Sequence, residues 1–558
     1  MARSTIDPVT RIEGHLRIEM EVEDGKVVDA WSSAGLFRGM ELILENRTSD
    51  DAIHISQRIC GVCPVSHANA AAIAGEQARG MRPAEGGRIV RNLTEYAQFL
   101  YSNITWFYIL NGLDYISPIN AVKADPAEAA RVAAENGLAT ADFGALQSRL
   151  AAFAENGQLS IFSGNWFDTT DADGSNSYKL SPELDLIMTA HYFEALTNQS
   201  KAAQINGVIG GKMPHITTGL VGGTAFVPDA QKVDDIKFRF DEINSWVANH
   251  VMSDAVALAK AYGNGFEYGK SYGNYIAWGV FESPSFDSKD RALPSGVLTA
   301  AGDDWDLDDV DPRAITEDTT HAYYKAEDDN TPVNPLEGRT HPWFPGEGYN
   351  TDHKYSWCKA PRYNGKPYEA GSIARVLVAY KRGVSRIVEL VDQALDALGQ
   401  KGNLHYLESV MGRVVARACE TVYLAEKASE EANNLIEYMA NGGDEWYAKP
   451  TVNDGTGEAL WEAPRGALYH METVKGGNIK KYQIIIPSTW NLSPRDDQGT
   501  KGPLEQALIG TEVTDIEKPI KALRLVHSFD PCTACSVHVF EPKTGKSFTT
   551  LESPWGVR

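Results

Sequence analysis

Two cysteine pairs carry the clearest chemistry in this sequence. Cys60 and Cys63 lie three positions apart near the N-terminus, and Cys532 and Cys535 repeat that spacing near the other end of the 558-residue chain. Thiolates at this spacing can bind a soft metal ion or form a redox pair. One pair alone is weak evidence, whereas two pairs so far apart predict that both converge on one buried four-sulfur metal site.

The identity of the metal stays open on spacing alone. A closed structural zinc site remains an alternative, although structural zinc ligands usually come from one compact stretch of chain. A thioredoxin-like redox pair is disfavoured because no βαβ pattern surrounds either motif. Six cysteines are too few for a disulfide scaffold, so Cys358 and Cys419 are predicted to be small buried hydrophobes.

Groups able to move protons or hold hard cations surround these pairs. Each of them would more often be a surface or capping residue if it stood alone, but their grouping beside the cysteines favours catalysis. They are Glu13, Glu41, His67, Arg465, Asp530 and His538.

Composition excludes several classes of function. The formal charge of −23 disfavours nucleic acid and anionic lipid as partners, since both require clustered Lys and Arg. No apolar run approaches the roughly 20 residues that a membrane span requires. Residues 1–8 are polar and lack a hydrophobic signal segment, so we expect any export to depend on a partner that carries the signal.

The elements that must position the cysteines are mainly helical. Apolar residues recur every three or four positions over residues 89–110, and similar stripes predict long helices that pack as a bundle. The other predicted helices cover about 182–207, 229–262, 371–399 and 408–440, with two shorter helices in 126–155 and a last one at 515–527. Alternation over 5–33 around Asp24-Gly25 predicts an N-terminal β-hairpin.

We therefore expect a mainly α fold with minor β. The predicted architecture is one large body around a long-helix bundle, with an N-terminal β-hairpin and irregular α+β elaborations. Residues 263–370, rich in Gly, Pro, Asp and aromatics, are expected to form a loop-rich excursion within that body.

The cysteine motifs, taken with several other short motifs, resemble the large subunit of nickel–iron hydrogenases, most closely its respiratory uptake branch. The resemblance spans the chain, with the motifs in the family's order. They are Arg-Ile-Glu-Gly-His at 11–15, Phe-Arg-Gly at 37–39 with Glu41, Arg-Ile-Cys-Gly-Val-Cys at 58–63 with His67, Lys-Ala-Pro-Arg-Tyr at 359–363, Ala-Pro-Arg-Gly at 463–466, Pro-Ser-Thr-Trp-Asn at 487–491, and Asp-Pro-Cys-Thr-Ala-Cys at 530–535 with His538.

The resemblance implies roles for the four cysteines and for a base. Cys60 and Cys532 would be terminal nickel ligands, and Cys63 and Cys535 would bridge nickel to an iron that carries carbon monoxide and cyanide. Glu13 would take the proton from Cys532, since heterolytic cleavage of H2 requires a nearby base.

Further residues would surround that centre. Arg465, next to Pro464, would lie over the metals and be held by Asp530 through a charge-assisted pair. Ser488 would donate a hydrogen bond to a cyanide, and His67 would tune a cysteine sulfur.

A second, hard metal site is implied close to the first. Glu41, the backbone carbonyl of Ile484 and His538 would hold magnesium or a similar divalent ion through oxygen and imidazole ligands.

The sequence departs from the family pattern in two places. Many relatives carry an acidic residue and several histidines where this chain has Ser102, Asn103, Trp106 and Ile109, which puts a second support for Arg465 in doubt. The other departure is the tail, since mature family members end just after the final histidine. We therefore divide the chain into a hydrogenase domain, 1–538, and a maturation extension, 539–558, that proteolysis is expected to remove.

The predicted function is the catalytic subunit of an H2-oxidising and H2-forming enzyme, and it implies several partners. No cysteine cluster remains to ligate iron–sulfur centres, so electrons would leave through an iron–sulfur small subunit, in a heterodimer or a dimer of heterodimers. Maturation would need an endopeptidase and metal-insertion proteins. A membrane cytochrome or quinone-linked subunit would place the enzyme at the outer, periplasmic face of the membrane, with a cytoplasmic location still open.

Three alternatives were weighed against this prediction. They are a hydrogen-sensing subunit of the same family, a non-catalytic structural subunit related to quinone-reducing complexes, and a structural zinc protein. The tail disfavours the sensor, and the four retained cysteines disfavour the structural subunit.

Overall fold

The structure is a computed structural model that describes residues 2–162, 166–167, 176–325, 332–346, 349–451 and 454–533. The expected fold class is confirmed: the chain is mostly helical, with small sheets, in one body. Its α-helices are α1 (Met40–Ile43), α2 (Ser49–Ser56), α3 (Pro64–Ala78), α4 (Glu85–Ile104), α5 (Pro118–Ala121), α6 (Pro126–Asn136), α7 (Phe143–Glu155), α8 (Pro182–Gly210), α9 (Ala230–Ala261), α10 (Ser372–Lys381), α11 (Ser385–Ala397), α12 (Val410–Ala440), α13 (Pro487–Asn491), α14 (Pro503–Leu508) and α15 (Ile520–Ser528).

The four longest helices form the predicted bundle. Helix α12 packs against α9 and α4, while α8 packs against α4 and α9. Their apolar stripes merge into one large core that also contains Cys60, Cys63 and Cys532. The thiols are therefore buried in the interior of the molecule and do not lie at its surface.

Two of the predicted helices have different limits. The stretch 371–399 is two helices, because Gly383 takes a φ of +78° and the backbone N–H of Val384 bonds to Ala379 O at 3.0 Å, which is a Schellman stop. Helix α4 continues into a π-helical turn, Thr105–Leu110, instead of remaining α-helical. The paired short helices in 126–155 are confirmed as α6 and α7.

The strands form small antiparallel sheets. They are β1 (Ala2–Ile6), β2 (Leu16–Glu23), β3 (Lys26–Ala34), β4 (Gly219–Leu220), β5 (Gly223–Thr224), β6 (Tyr275–Ala277), β7 (Gly296–Ala301), β8 (Asp304–Asp308), β9 (Ile315–Asp318), β10 (Ala360–Tyr363), β11 (Gly455–Ala463), β12 (Gly466–Lys475) and β13 (Asn478–Ile485). The predicted hairpin is β2–β3, which turns at Asp24-Gly25, and β1 adds a third strand.

The sheet β11–β12–β13 lies directly on α3, the helix that follows the first cysteine pair. A glycine permits this close approach: a Cβ built on Gly457 would lie 2.1 Å from Ala74 O and 2.2 Å from Ala78 N. Alanines on α3 and glycine on β11 therefore bring the sheet's loops to the cysteines.

Among the described residues, no helix is both long enough and apolar enough to cross a membrane.

Candidate metal centre

The first cysteine pair lies at the start of α3. A short 3-10 turn, Gln57–Ile59, precedes Cys60, whose Sγ accepts a hydrogen bond from Val62 N–H at 3.3 Å. Cys63 caps α3, and Pro64 occupies the first turn, where its missing N–H costs no hydrogen bond. The positive end of the helix dipole therefore faces Cys63 and favours its thiolate form.

The second pair enters from the opposite end of the chain. Cys532 follows α15, and its Sγ lies 3.4 Å from Cys60 Sγ. The sulfurs of Cys60, Cys63 and Cys532 all lie within 4.8 Å of one another, and all three residues are buried. Three soft ligand atoms thus converge, although their residues are almost 500 positions apart. Cys535 and His538, the other predicted ligands in this segment, lie outside the described residues.

Glu13 is held beside Cys532 by its own backbone. Thr533 N–H donates to Glu13 O at 2.7 Å, and Glu13 N–H donates to Pro531 O at 3.4 Å, so the two segments pair like parallel strands. This pairing leaves a Glu13 carboxylate oxygen, Oε2, 3.5 Å from Cys532 Sγ. A carboxylate at this distance can accept a proton from that sulfur.

Arg465 lies in the two-residue loop that joins β11 to β12. Ala463 pairs with Gly466, so Pro464 and Arg465 form a tight turn. Arg375 fixes the turn from behind, donating to Ala463 O at 3.0 Å and to Pro464 O at 2.8 Å. The position of the arginine is thus set by the backbone as well as by its own ion pair.

Asp530 anchors the Arg465 side chain. Its Oδ1 accepts from Arg465 Nε at 3.1 Å and lies 3.0 Å from Arg465 Nη2. Asp530 has a φ of +51°, a left-handed conformation that Asp tolerates better than most residues. The third guanidinium nitrogen of Arg465, Nη1, is buried and has no hydrogen-bond partner among the described residues.

The electrostatics of this arginine suit an anionic centre. Burial by itself lowers the pKa of Arg465, but Asp530 and the nearby thiols of Cys532, Cys63 and Cys60 raise that pKa well above its usual value. A permanently charged guanidinium with one unpartnered N–H group lies beside three buried sulfurs. This donor set fits a soft transition-metal centre that carries hydrogen-bond-accepting ligands.

Ser488 and Cys532 are in direct contact. The Ser488 Oγ accepts from the Cys532 backbone N–H at 3.0 Å, which fixes the cysteine's position after α15. In the described part of the chain, the hydroxyl proton of Ser488 has no acceptor, so it is available to a ligand of the centre.

His67 lies one turn after Cys63 on α3 and begins a buried polar chain. Its Nδ1 is 3.1 Å from His470 Nε2, and His470 Nδ1 is 2.8 Å from the Tyr482 hydroxyl. Burial lowers the pKa of His67 to about 4 and outweighs the opposite effect of Cys60. His67 is therefore neutral at physiological pH, and its tautomer is set by this chain.

Two of the three residues predicted to hold a hard ion, Glu41 and Ile484, lie next to each other. Glu41 Oε1 accepts from the Ile484 backbone N–H at 2.8 Å, and Oε2 accepts from the Thr340 hydroxyl. Lys359 bridges the neighbouring Glu317 and Gln483 at 3.0 and 3.3 Å. Glu41 and Ile484 are thus adjacent, although their contact uses the N–H of Ile484 rather than its carbonyl.

Several residues of the centre escaped sequence reasoning. Arg417 on α12 donates to Asp530 Oδ2 at 2.7 Å, and His470 and Tyr482 extend the chain from His67. Charged residues within the otherwise apolar start of α12 were the available signal for Arg417. No such signal marked His470, because its partners come from separate elements.

Comparisons with known proteins agree with this geometry. The sequence model of the nickel-dependent hydrogenase family matches residues 38–538, and a HoxL-like model matches residues 3–33. The Hydrogenase-2 large chain of Escherichia coli K12 is 35% identical, with 97% of each chain covered. The Quinone-reactive Ni/Fe-hydrogenase large chain of Wolinella succinogenes is also 35% identical, over 97% of this chain and 96% of that protein.

Solved structures show the same relationship. The NiFeSe hydrogenase of Desulfomicrobium baculatum superposes with a TM-score of 0.79 at 32% identity, covering 96% of this chain and all of that one. A NiFeSe hydrogenase from Desulfovibrio vulgaris Hildenborough gives the same TM-score at 31% identity.

A large helical body buries three convergent thiols that could hold a metal ion, and its sequence and structural relatives are hydrogenases. The chain belongs to the nickel-dependent hydrogenase family. It is a large-subunit hydrogenase, an oxidoreductase that acts on H2 at a nickel–iron centre, and its relatives include respiratory hydrogenase large chains. These findings favour the hydrogenase interpretation over the structural and zinc-binding alternatives.

Proposed function

We propose that this chain is the catalytic subunit of a nickel–iron hydrogenase. Cys60 and Cys532 would hold the nickel alone, and Cys63 and Cys535 would hold both the nickel and the iron. The observation that carries the proposal is the convergence of three buried sulfurs within 4.8 Å, with Glu13 at 3.5 Å from one of them. When bound, a nickel–iron centre with carbon monoxide and cyanide on its iron activates H2 for heterolytic cleavage and accepts the electrons.

The chain's own residues handle the proton and the charge. Glu13 Oε2 receives the proton from Cys532 Sγ and begins its path outward, because it is held within reach by backbone pairing. Arg465 places a fixed positive charge beside the centre, with its Nη1 group available as a hydrogen-bond donor. The Ser488 hydroxyl donates a hydrogen bond to a cyanide. His67 tunes the electronic properties of a cysteine sulfur.

A magnesium or similar ion would be held by Glu41, the Ile484 carbonyl and His538. Glu41 keeps lone pairs beyond the two hydrogen bonds it accepts, so it can bind a hard cation as well.

Electrons leave through an iron–sulfur small subunit. The sequence offers only Cys358 and Cys419 beyond the two pairs, and both are buried in the core. The quinone-reactive name of the Wolinella relative supports a membrane-linked partner, with the complex on the outer face of the membrane after joint export. An endopeptidase would remove residues 539–558, and the family match ends at 538.

Metal analysis of the purified complex, together with H2-dependent dye reduction, tests the proposal. We expect one nickel per chain and iron in excess of the partner's clusters, with H2 oxidation proportional to nickel. Zinc without nickel, or H2 turnover in nickel-free protein, would contradict it.

A further inference from the structure

We propose that Arg417 is a positioning residue that controls how Asp530 presents itself to Arg465. The inference rests on the proposed function, in which Arg465 lies over the metal centre. It adds a buried arginine that does not touch the reacting atoms but determines where a catalytic guanidinium points.

One carboxylate is shared between two guanidinium groups. Asp530 Oδ2 accepts from Arg417 Nη1 at 2.7 Å, while Oδ1 alone serves both Nε and Nη2 of Arg465, at 3.1 and 3.0 Å. A free carboxylate prefers to engage an arginine with both oxygens, in a two-point fork. Arg417 draws Oδ2 towards α12, and in the resulting orientation of the carboxylate Arg465 contacts only Oδ1.

This arrangement explains the orientation of Arg465. The guanidinium is anchored on Oδ1 through its Nε and Nη2 edge, and Nη1 has no partner among the described residues. If the carboxylate turned so that Oδ2 bonded to the same edge, the guanidinium plane would rotate and Nη1 would move. Arg417 therefore sets the position of Nη1 through Asp530.

Arg417 is itself held rigidly. Its guanidinium carbon lies 4.4 Å from the centre of the Trp106 ring, in cation–π contact. Glu420, one turn further along α12, adds an attractive charge and is fixed by Arg375, by Ser372 and by Asn103 Nδ2 at 3.2 Å. Because these contacts leave the Arg417 side chain few other conformations, its position determines the position of Asp530.

Two of these supports come from helix α4 and the π-helical turn that follows it. Trp106 contacts Arg417, and Asn103 contacts Glu420. Ser102, also on α4, is neutral and buried. In this chain the support of Arg465 thus comes through Asp530 and Arg417.

The test uses the full-length chain purified with its partner subunit, as Arg417→Gln and Arg417→Lys variants. Gln removes the charge and frees Asp530 Oδ2, so we expect kcat for H2 oxidation to fall about 100-fold, the scale of a misplacement of about 1 Å. KM, nickel and iron should stay near wild type, while the infrared bands of metal-bound carbon monoxide and cyanide shift. Lys keeps one donor on Oδ2, and we expect wild-type bands with kcat within about threefold, since one charged donor is all that Arg417 supplies to Asp530.

Arg91→Gln is the matched control. Arg91 is equally buried and pairs with Glu76 on α3, away from Asp530, so its loss should lower thermal stability without moving the bands. A crystal structure of Arg417→Gln should show both Asp530 oxygens on Arg465.

The inference is overturned if Arg417→Gln keeps wild-type bands and kcat, or if Asp530 keeps its one-oxygen contact in that variant. If Gln does not assemble, band shifts in Arg417→Lys would overturn it and wild-type bands would support it. If the wild-type complex holds no nickel–iron centre, the proposed function fails, while the orientation of Asp530 in the two crystal structures still decides this inference.

Discussion

At the scale of single residues, the position of Glu13 depends on backbone pairing between the two ends of the chain. Its main-chain groups bond to Pro531 and Thr533, and its side chain reaches Cys532. Only the carboxylate is needed for proton transfer, so the base can be removed with little effect on the surrounding fold.

Glu13→Gln is therefore expected to lower H2 oxidation by about 10²- to 10⁴-fold, the usual contribution of a positioned base. The amide preserves size and hydrogen bonding but cannot accept the proton. Steady-state assays and H/D exchange measure the loss, and metal content should match the wild type. Glu19→Gln, on the neighbouring strand β2, provides a control that should retain activity. Full activity in Glu13→Gln would assign the base to another group.

Site residues that lie in short sequence motifs were predictable from the sequence. The residues that contact them from other elements were not. The resemblance to the hydrogenase family implied that Arg465 and Asp530 form a pair. The third member, Arg417, comes from a helix more than 100 residues before Asp530, and only the packing of α12 against α15 brings it there. Periodicity predicts that a helix has a buried face. It does not predict which charged residue of another element that face contacts.

At the scale of elements, the loop that carries Glu13 is fixed to the end of the π-helical turn by Asp114. This buried carboxylate accepts from Arg11 and lies 2.8 Å from His527 Nδ1 on α15. His527 Nε2 donates to Thr10 O at 2.8 Å. Three elements thus meet at one charge directly behind the proposed base.

Asp114→Asn should destabilise the complex by about 3–5 kcal/mol at neutral pH, because it removes the buried carboxylate that half-buried Arg11 and buried His527 share. Burial raises the pKa of Asp114, but Arg11 and His527 outweigh it, so the net pKa is lowered. Its stabilisation is thus complete above the unfolded value of about 3.9 and is lost as pH falls through the lower folded value.

Urea midpoints of the two proteins at pH 7 and at about pH 3 measure this effect. The difference between Asp114→Asn and wild type should narrow at the lower pH, and an unchanged difference would contradict the assignment. Glu128→Gln, in an exposed pair with Arg131, is the control and should leave both midpoints unchanged.

The contact of β11 with α3 gives a second element-scale prediction. Gly457→Ala would place a methyl group 2.1 Å from Ala74 O, so the strand must move away from the helix that begins at Cys63. We expect less nickel per chain in the purified complex. Gly207→Ala on α8 has open space around the new methyl group and should load nickel normally. Normal nickel in Gly457→Ala would show that the sheet does not set the centre's geometry.

Helices were predicted correctly where the apolar periodicity extends over many residues. The prediction failed where a local signal ends a helix inside such a pattern. The stripes of α8, α9 and α12 were read within a few residues, but the break at Gly383 lay inside a continuous apolar pattern. The π-helical turn after α4 was missed because it keeps the same buried face. The spacing of apolar residues indicates which side of a helix is buried. It does not reveal the one extra residue per turn that makes a turn π-helical.

At the scale of the whole molecule, the two ends of the chain complete one centre. Cys60 and Cys63 come from the N-terminal part, Cys532 from the C-terminal part, and the helical bundle holds them together. The resemblance places the expected cleavage after His538, in the segment that follows Cys532, so proteolysis there would act close in sequence to a residue of this centre.

Intact-mass spectrometry of active complex tests that expectation. The large subunit should have the mass of a chain ending at His538, without the twenty residues that follow. A His538→Ala variant should retain the tail and lose activity, because the proposed cleavage site and hard-ion ligand change together. Full-length chain in protein that turns over H2 would contradict the maturation step.

Infrared spectroscopy of the purified, active complex tests the central claim most directly. A nickel–iron centre on these cysteines predicts sharp bands from metal-bound carbon monoxide and cyanide, in proportion to nickel content and to H2 turnover. The same bands should be absent from a Cys532→Ser variant. Active protein without such bands would contradict the account.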